Sequence, residues 1–169
     1  MNTSRRSFGL RCLAGAFLGT MGWVHAAGLV QTGAEFPDLA KAGLEGSLPD
    51  LKGKVLVVDL WATWCAPCKK ALPMYADLHK DFAGKDVVIV AVSLDEDRKA
   101  YEAFVKKNGF PFTVVRDPKG KLADALGVQE MPTSVVVGKD GKVASVHSGS
   151  MGDKAKAKLA AELDGLLKK

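Results

Sequence analysis

With 169 residues, 47 % of them apolar and 25 % charged, the chain has the balance of one soluble globular domain large enough for a real core. The formal charge is +5, but Arg5, Arg6 and Arg11 fall in the first 26 residues, which hold no acid; without these arginines the charge is +2, with acids and bases interleaved. That balance excludes a basic nucleic-acid footprint, and neither a repeat nor a low-complexity tract is visible.

Residues 1–26 read as an export signal. Ser4-Arg5-Arg6-Ser7-Phe8 opens it, a Gly- and Ala-rich apolar run follows from Leu13 to Val24, and Val24-His25-Ala26 offers small residues for cleavage before Ala27. The paired arginines are similar to a twin-arginine signal. The apolar run is short for a membrane span, although an uncleaved signal would serve as a tether. Cys12 lacks a lipoprotein-type box and is read as lost with the signal. Residues 27–169 form the mature domain, with two cysteines in an oxidising compartment.

Glycines and prolines punctuate residues 27–52, where a short strand or hairpin is expected near Glu35-Phe36 or Leu44–Leu48. Val55–Ala62 is a continuous apolar run, as a central strand buried on both faces requires. It leads into Trp64-Cys65-Ala66-Pro67-Cys68 and then into a helical stretch carrying Leu72, Tyr75, Ala76, His79 and Phe82, with Pro73 expected to kink it and Gly84 to end it. Asp86–Leu94 is a second buried strand. Asp95-Glu96-Asp97 opens the next helix as cap chemistry; Tyr101, Phe104 and Val105 are its apolar stripe, and Asn108-Gly109 stops it. Pro111–Val115 is a strand, Asp117–Gly120 a turn, and Leu122–Leu126 a short helix. Met131-Pro132-Thr133 opens another strand, which Asp140-Gly141 turns back into Val143–His147. His147, with no carboxylate or cysteine near it in sequence, is assigned a surface role. Asp153 is expected to cap a last helix with Ala155, Leu159, Leu163 and Leu166 on one face. Strands alternating with helices and ending in a hairpin predict an α/β layer sandwich with a mixed sheet.

The Cys65–Cys68 pair sits where a buried strand becomes a helix. Residues three apart in the first turn share a face, with Cβ atoms about 5–6 Å apart, so the two sulfurs come within reach of a bond. Cys65 faces the free N–H groups at the positive end of the helix, which favour a thiolate over a thiol. Such a thiolate attacks disulfides, and Cys68 can resolve the mixed disulfide. Other readings compete. A zinc site needs two further ligands, and His25, His79 and His147 are not at ligand spacing. A structural disulfide closing two residues removes little chain entropy. Two inert buried cysteines would not need Pro67 and a helix start around them.

Asp59-Leu60-Trp61-Ala62-Thr63-Trp64-Cys65-Ala66-Pro67-Cys68-Lys69 resembles the active-site segment of the thioredoxin family, and Met131-Pro132-Thr133 resembles that family's cis-proline loop. The export signal, Leu51-Lys52-Gly53-Lys54 and the extra helix between Asp95 and Gly109 resemble its exported TlpA/ResA/DsbE-type branch. The resemblance spans about residues 33–167. It implies a thioredoxin-like three-layer sandwich. It also implies Cys65 as nucleophile, Cys68 as resolving thiol and Asp59 as a desolvated acid that takes the proton of Cys68. Pro132 with Met131 would face the disulfide, and Ala66 and Pro67 would complete the client-binding surface. Trp64 would cover the sulfurs and Trp61 pack beneath. Two positions depart from the pattern. ResA-type chains carry a glutamate where this one has Ala71, and thioredoxin pairs its acid with a lysine that Val88–Leu94 lacks.

The activity implied is an exported, periplasmic thiol–disulfide oxidoreductase without metal or organic cofactor. Ala66-Pro67 supplies no charge to stabilise a reduced thiolate, which favours work as a reductant. The partners implied are client proteins with disulfides, as in cytochrome c or copper-site maturation, and a membrane thiol-electron transporter of the DsbD/CcdA type. The chain is expected to be a monomer. An oxidant or isomerase on the same scaffold, or a copper-binding metallochaperone, are the rival readings. A peroxiredoxin is disfavoured, because no Thr-x-x-Cys is present.

Overall fold

The computed structural model describes residues 30–149 and 153–168. The export segment, Cys12 and the side chain of Asp153 lie outside what is described. Five strands form one sheet: β1 (Val55–Trp61), β2 (Val87–Ser93), β3 (Thr113–Arg116), β4 (Thr133–Val137) and β5 (Val143–Ser148). Their order is β3-β2-β1-β4-β5, with β1 central. β1, β2 and β3 run parallel, and β4 and β5 pair antiparallel, so the predicted mixed sheet is borne out. All seven residues of β1 are buried, as its unbroken apolar pattern requires.

Four helices cover the sheet: α1 (Ala66–Asp81), α2 (Arg98–Asn108), α3 (Lys121–Leu126) and α4 (Asp153–Leu167). One face packs Val55, Val57 and Trp61 of β1 against Leu72, Tyr75 and Leu78 of α1, Leu159 and Leu163 of α4, and the stripe of α2. The other packs Leu56, Val58 and Leu60 against Leu122 and Leu126 of α3, with Leu39 from a 3-10 turn at Leu39–Lys41 and Phe36 and Leu44 beside them. The result is three layers, as expected.

Some local expectations change. The segment before β1 makes no full strand. It touches the sheet through single bridges, Glu35 to Lys142 and Glu45 to Arg116. α1 spans Pro73, which lies inside it as expected, on the exposed side, where water can serve the carbonyl left without its helical donor. Asp97 alone caps α2, accepting from the N–H groups of Lys99 and Ala100. Asp117 does the same for α3, accepting from the N–H groups of Lys121, Leu122 and Ala123. Gly120, in the left-handed region at φ 64°, brings the chain round so that it can.

Candidate active site

β1 ends at Trp61 and α1 starts at Ala66, so the Cys65–Cys68 segment stands at the carboxyl edge of the central strand. Cys65 is the N-cap residue of α1. Its Sγ accepts from the N–H of Cys68 at 3.3 Å, and its carbonyl accepts from Lys69 N at 3.1 Å. Pro67 fits the first turn, where a missing N–H has no helical partner to lose. The two cysteines are joined by a disulfide with Cα atoms 5.3 Å apart. Cys65 keeps 7 % of its surface exposed and Cys68 none. Only the Cys65 side of the bond reaches solvent.

Trp64 is 67 % exposed, the one large hydrophobic side chain so open among the described residues. It projects from the loop rather than packing down. Ala66 and Pro67 are exposed beside it. Trp61 is fully buried, packed on Phe104, Phe110 and Tyr101 with ring centroids 5.3, 6.3 and 6.4 Å away. The Met131–Pro132 peptide is cis, immediately before β4. Met131 is half-buried and Pro132 buried.

Asp59 lies on β1 facing α1, with no exposed surface. Burial pushes its carboxyl up from 3.8 to about 8, against a smaller downward pull from the Tyr75 hydroxyl. The two are 3.0 Å apart (Tyr75 Oη to Asp59 Oδ1), and Tyr75 Oη is also 2.9 Å from Ser134 Oγ. Asp59 Oδ2 has no partner among the described residues. A carboxyl with this environment titrates near neutrality, where a proton donor and acceptor works best.

Three functional candidates escape sequence reasoning. Tyr75 reads there as one more apolar residue of a helical stripe. Ser134 reads as a strand residue. Its placement opposite Asp59 follows only from the β1–β4 register. Asp95 reads as cap chemistry but is buried and turned toward the loop before Cys65. It accepts from Thr63 Oγ1 at 2.7 Å, from Thr63 N at 3.0 Å and from Ser93 Oγ at 2.6 Å. Arg116 steadies it from behind, donating to the carbonyls of Asp95 and Glu96 and to Glu45. The three acids in a row were the available signal. His147 corrects a further expectation. It is half-buried, with Nε2 3.0 Å from Glu162 Oε2 of α4 and 2.9 Å from Ser145 Oγ. Fifteen residues separate it from Glu162, so no local pattern announces the pair. Among the described residues no three His, Cys, Asp or Glu side chains gather as a metal would need, and no helix is long and apolar enough to cross a membrane.

Comparison with known proteins agrees with this geometry. Residues 32–146 match the AhpC/TSA family. The thiol-disulfide oxidoreductase ResA of Bacillus subtilis is 37 % identical over 125 residues, covering 72 % of this chain and 70 % of ResA. A crystal structure assigned as a thiol:disulfide interchange protein DsbE from Chlorobium tepidum superposes with TM-score 0.74 at 31 % identity, covering 82 % of this chain and 99 % of the other. StoA from Bacillus subtilis aligns with TM-score 0.59 at 28 % identity, over 66 % of this chain and 83 % of its own.

Proposed function

The chain belongs to the AhpC/TSA family and is a thiol–disulfide oxidoreductase with a thioredoxin-like fold; on that footing we propose that it works outside the cytoplasm as a reductant of client disulfides. The observation that carries the reading is the asymmetry of the buried pair at the start of α1, with Cys65 reachable and Cys68 sealed.

In the reduced form, the Cys65 thiolate attacks one sulfur of a client disulfide. The client's S–S bond breaks, a Cys65–client bond forms, and the first client sulfur leaves as thiolate to take up a proton. Cys68 then loses its proton to Asp59 and attacks Cys65 Sγ. The Cys65–Cys68 disulfide forms and the second client thiol is released, so two electrons have passed to the client. Asp59, with its carboxyl near 8, is populated in both protonation states around neutrality and is suited to take that proton. Trp64, Ala66, Pro67, Met131 and Pro132 form the surface that receives the client backbone. A membrane thiol-electron transporter of the DsbD/CcdA type would return the dithiol to its reduced form, and the first 26 residues would export the chain to the periplasm, with a tether to the inner membrane if they are retained. Clients in cytochrome c or copper-site maturation suit a reductant placed there. The domain works as a monomer without metal or organic cofactor.

Trapping tests this. Cys68→Ala removes the resolving step and not the attack, so it accumulates mixed disulfides in the exported compartment, and those adducts identify the clients. Cys65→Ala traps far fewer. The reverse ratio exchanges the two roles. No adduct with either folded variant, together with tight copper(I) binding by the pair, favours the metallochaperone instead.

A further inference from the structure

We propose that Tyr75 and Ser134 form a reversible hydrogen-bond pair that holds Asp59 in either protonation state, with Tyr75 as the positioning residue; the use of that pair in catalysis rests on the proton relay proposed above. A phenol has one proton to give. Tyr75 Oη has two neighbours within reach, Asp59 Oδ1 at 3.0 Å and Ser134 Oγ at 2.9 Å, and cannot donate to both. All three side chains are fully buried.

Two arrangements are open to the group, related by the carboxyl proton and by rotation of the hydroxyls. With Asp59 ionised, the carboxylate only accepts. Tyr75 donates to it, and Ser134 donates to the Tyr75 oxygen. With Asp59 protonated, its O–H donates to Tyr75, and Tyr75 donates to Ser134. Burial and the neighbouring Asp59 push Tyr75 well above its ordinary 10, so it remains a phenol in both. The register makes this possible: Asp59 of β1 lies directly opposite Ser134 of β4, and Tyr75 of α1 comes down on both.

The other groups on this face do not compete. Cys65 and Cys68 are joined as a neutral disulfide. β2 puts Ala91 beside Asp59. On β5, His147 lies opposite Ser134 but is engaged by Glu162 of α4. Lys156 of α4 is drawn to Asp77 and Asp81 on α1. Tyr101 of α2 packs on Trp61. Among the described residues, only Tyr75 reaches the Asp59 side chain with a hydrogen bond.

The test is a carbon-13 NMR titration of the Asp59 carboxyl in the oxidised full chain. Tyr75→Phe keeps the ring and deletes the donor to the carboxylate, so the midpoint moves upward by about one to two pH units. An unchanged or lowered midpoint overturns the proposal. A second measurement leaves Tyr75 in place. The chain has two tyrosines, so Tyr101→Phe makes Tyr75 the sole one. Its ultraviolet resonance Raman bands, which report whether the phenol donates to an anion or to a neutral group, switch with the midpoint of Asp59, and Asp59→Asn abolishes the switch. Bands that stay flat through the Asp59 midpoint overturn the proposal. Neither readout involves a client or an electron donor, so a failure of trapping with both titrations intact would remove the reductant reading and leave the hydrogen-bond pair standing.

Discussion

The sheet face under α3 and the face under α1 and α4 are drawn from alternate residues of the same strands. Under α3, β1 presents Leu56, Val58 and Leu60, and β4 presents Val135 and Val137. Under α1, the same two strands present Asp59, Trp61 and Ser134, and the helix adds Tyr75 and the disulfide. Both faces are sealed, but among the described residues the buried group of Asp59, Tyr75 and Ser134 lies on the α1 face alone. Both faces bury apolar side chains, the aliphatic one with Leu122 and Leu126 of α3 and the other with Trp61, Leu72, Leu159 and Leu163. The other face can then keep a carboxyl out of water next to a reactive pair, an arrangement that costs stability. The contrast teaches that the pleat confines the chemistry to one face: moving one residue along β1 from Asp59, to Val58 or Leu60, leaves it.

The largest effect expected is on exchange. Cys65→Ala on the polar face abolishes disulfide reduction, measured as turnover of a model disulfide, and leaves the thermal transition of the domain cooperative. Leu60→Ala on the aliphatic face does the opposite. It costs about 2–5 kcal/mol in denaturant unfolding and leaves the reduction potential of the surviving folded protein unchanged. A shift in potential with Leu60→Ala would dissolve the distinction.

The pH dependence of stability sharpens it. Asp59 rises from 3.8 to about 8 on folding, so between these values the folded chain holds a proton that the unfolded chain has released. Stability therefore falls as pH rises through that window, by up to about 1.4 kcal/mol per unit for this one group, and levels off above it. Asp59→Asn removes this slope and makes the oxidised protein the more stable one at the alkaline end, while slowing resolution by Cys68 and sparing the first attack by Cys65. Unfolding curves across pH, with stopped-flow kinetics of both steps, check the two halves. Equal slowing of both steps would speak against the relay.

Smaller effects lie at the margins of the polar face. Asp95→Ala strips Thr63 of its acceptor and costs about 1–3 kcal/mol, with faster alkylation of Cys65 in the reduced protein as the loop loosens. Lys156→Ala removes a pair 3.1 Å from Asp81 on the solvent side of α1 and α4; exposed pairs of this kind are worth under about 1 kcal/mol, and exchange is unaffected.

Much of the scaffold is legible in the sequence because its signals are local. Val55–Ala62 and Val87–Val92 have nowhere to go but a buried sheet, and Trp64–Cys68 ends one run and begins a helix. The position of Asp59 within an apolar strand already implies desolvation. What is hidden is contact between distant segments. Nothing around Tyr75 says that its hydroxyl meets a residue sixteen positions upstream and another fifty-nine downstream. Ser134 acquires its neighbour only through pairing register, which a Val-rich strand does not specify by itself. Asp95 resembles a cap because acids before helices usually are caps; here Asp97 takes that place and leaves Asp95 free to turn inward. The pairing of His147 with Glu162 depends on how α4 lies across β5.

The reduction potential of the Cys65–Cys68 couple tests the central claim most directly. Equilibration of the protein with glutathione or dithiothreitol buffers, read by alkylation, gives it without any assumption about clients. A reductant with no charge between its cysteines lies near thioredoxin, at about −270 mV; a value near about −120 mV would make this chain an oxidant and contradict the account.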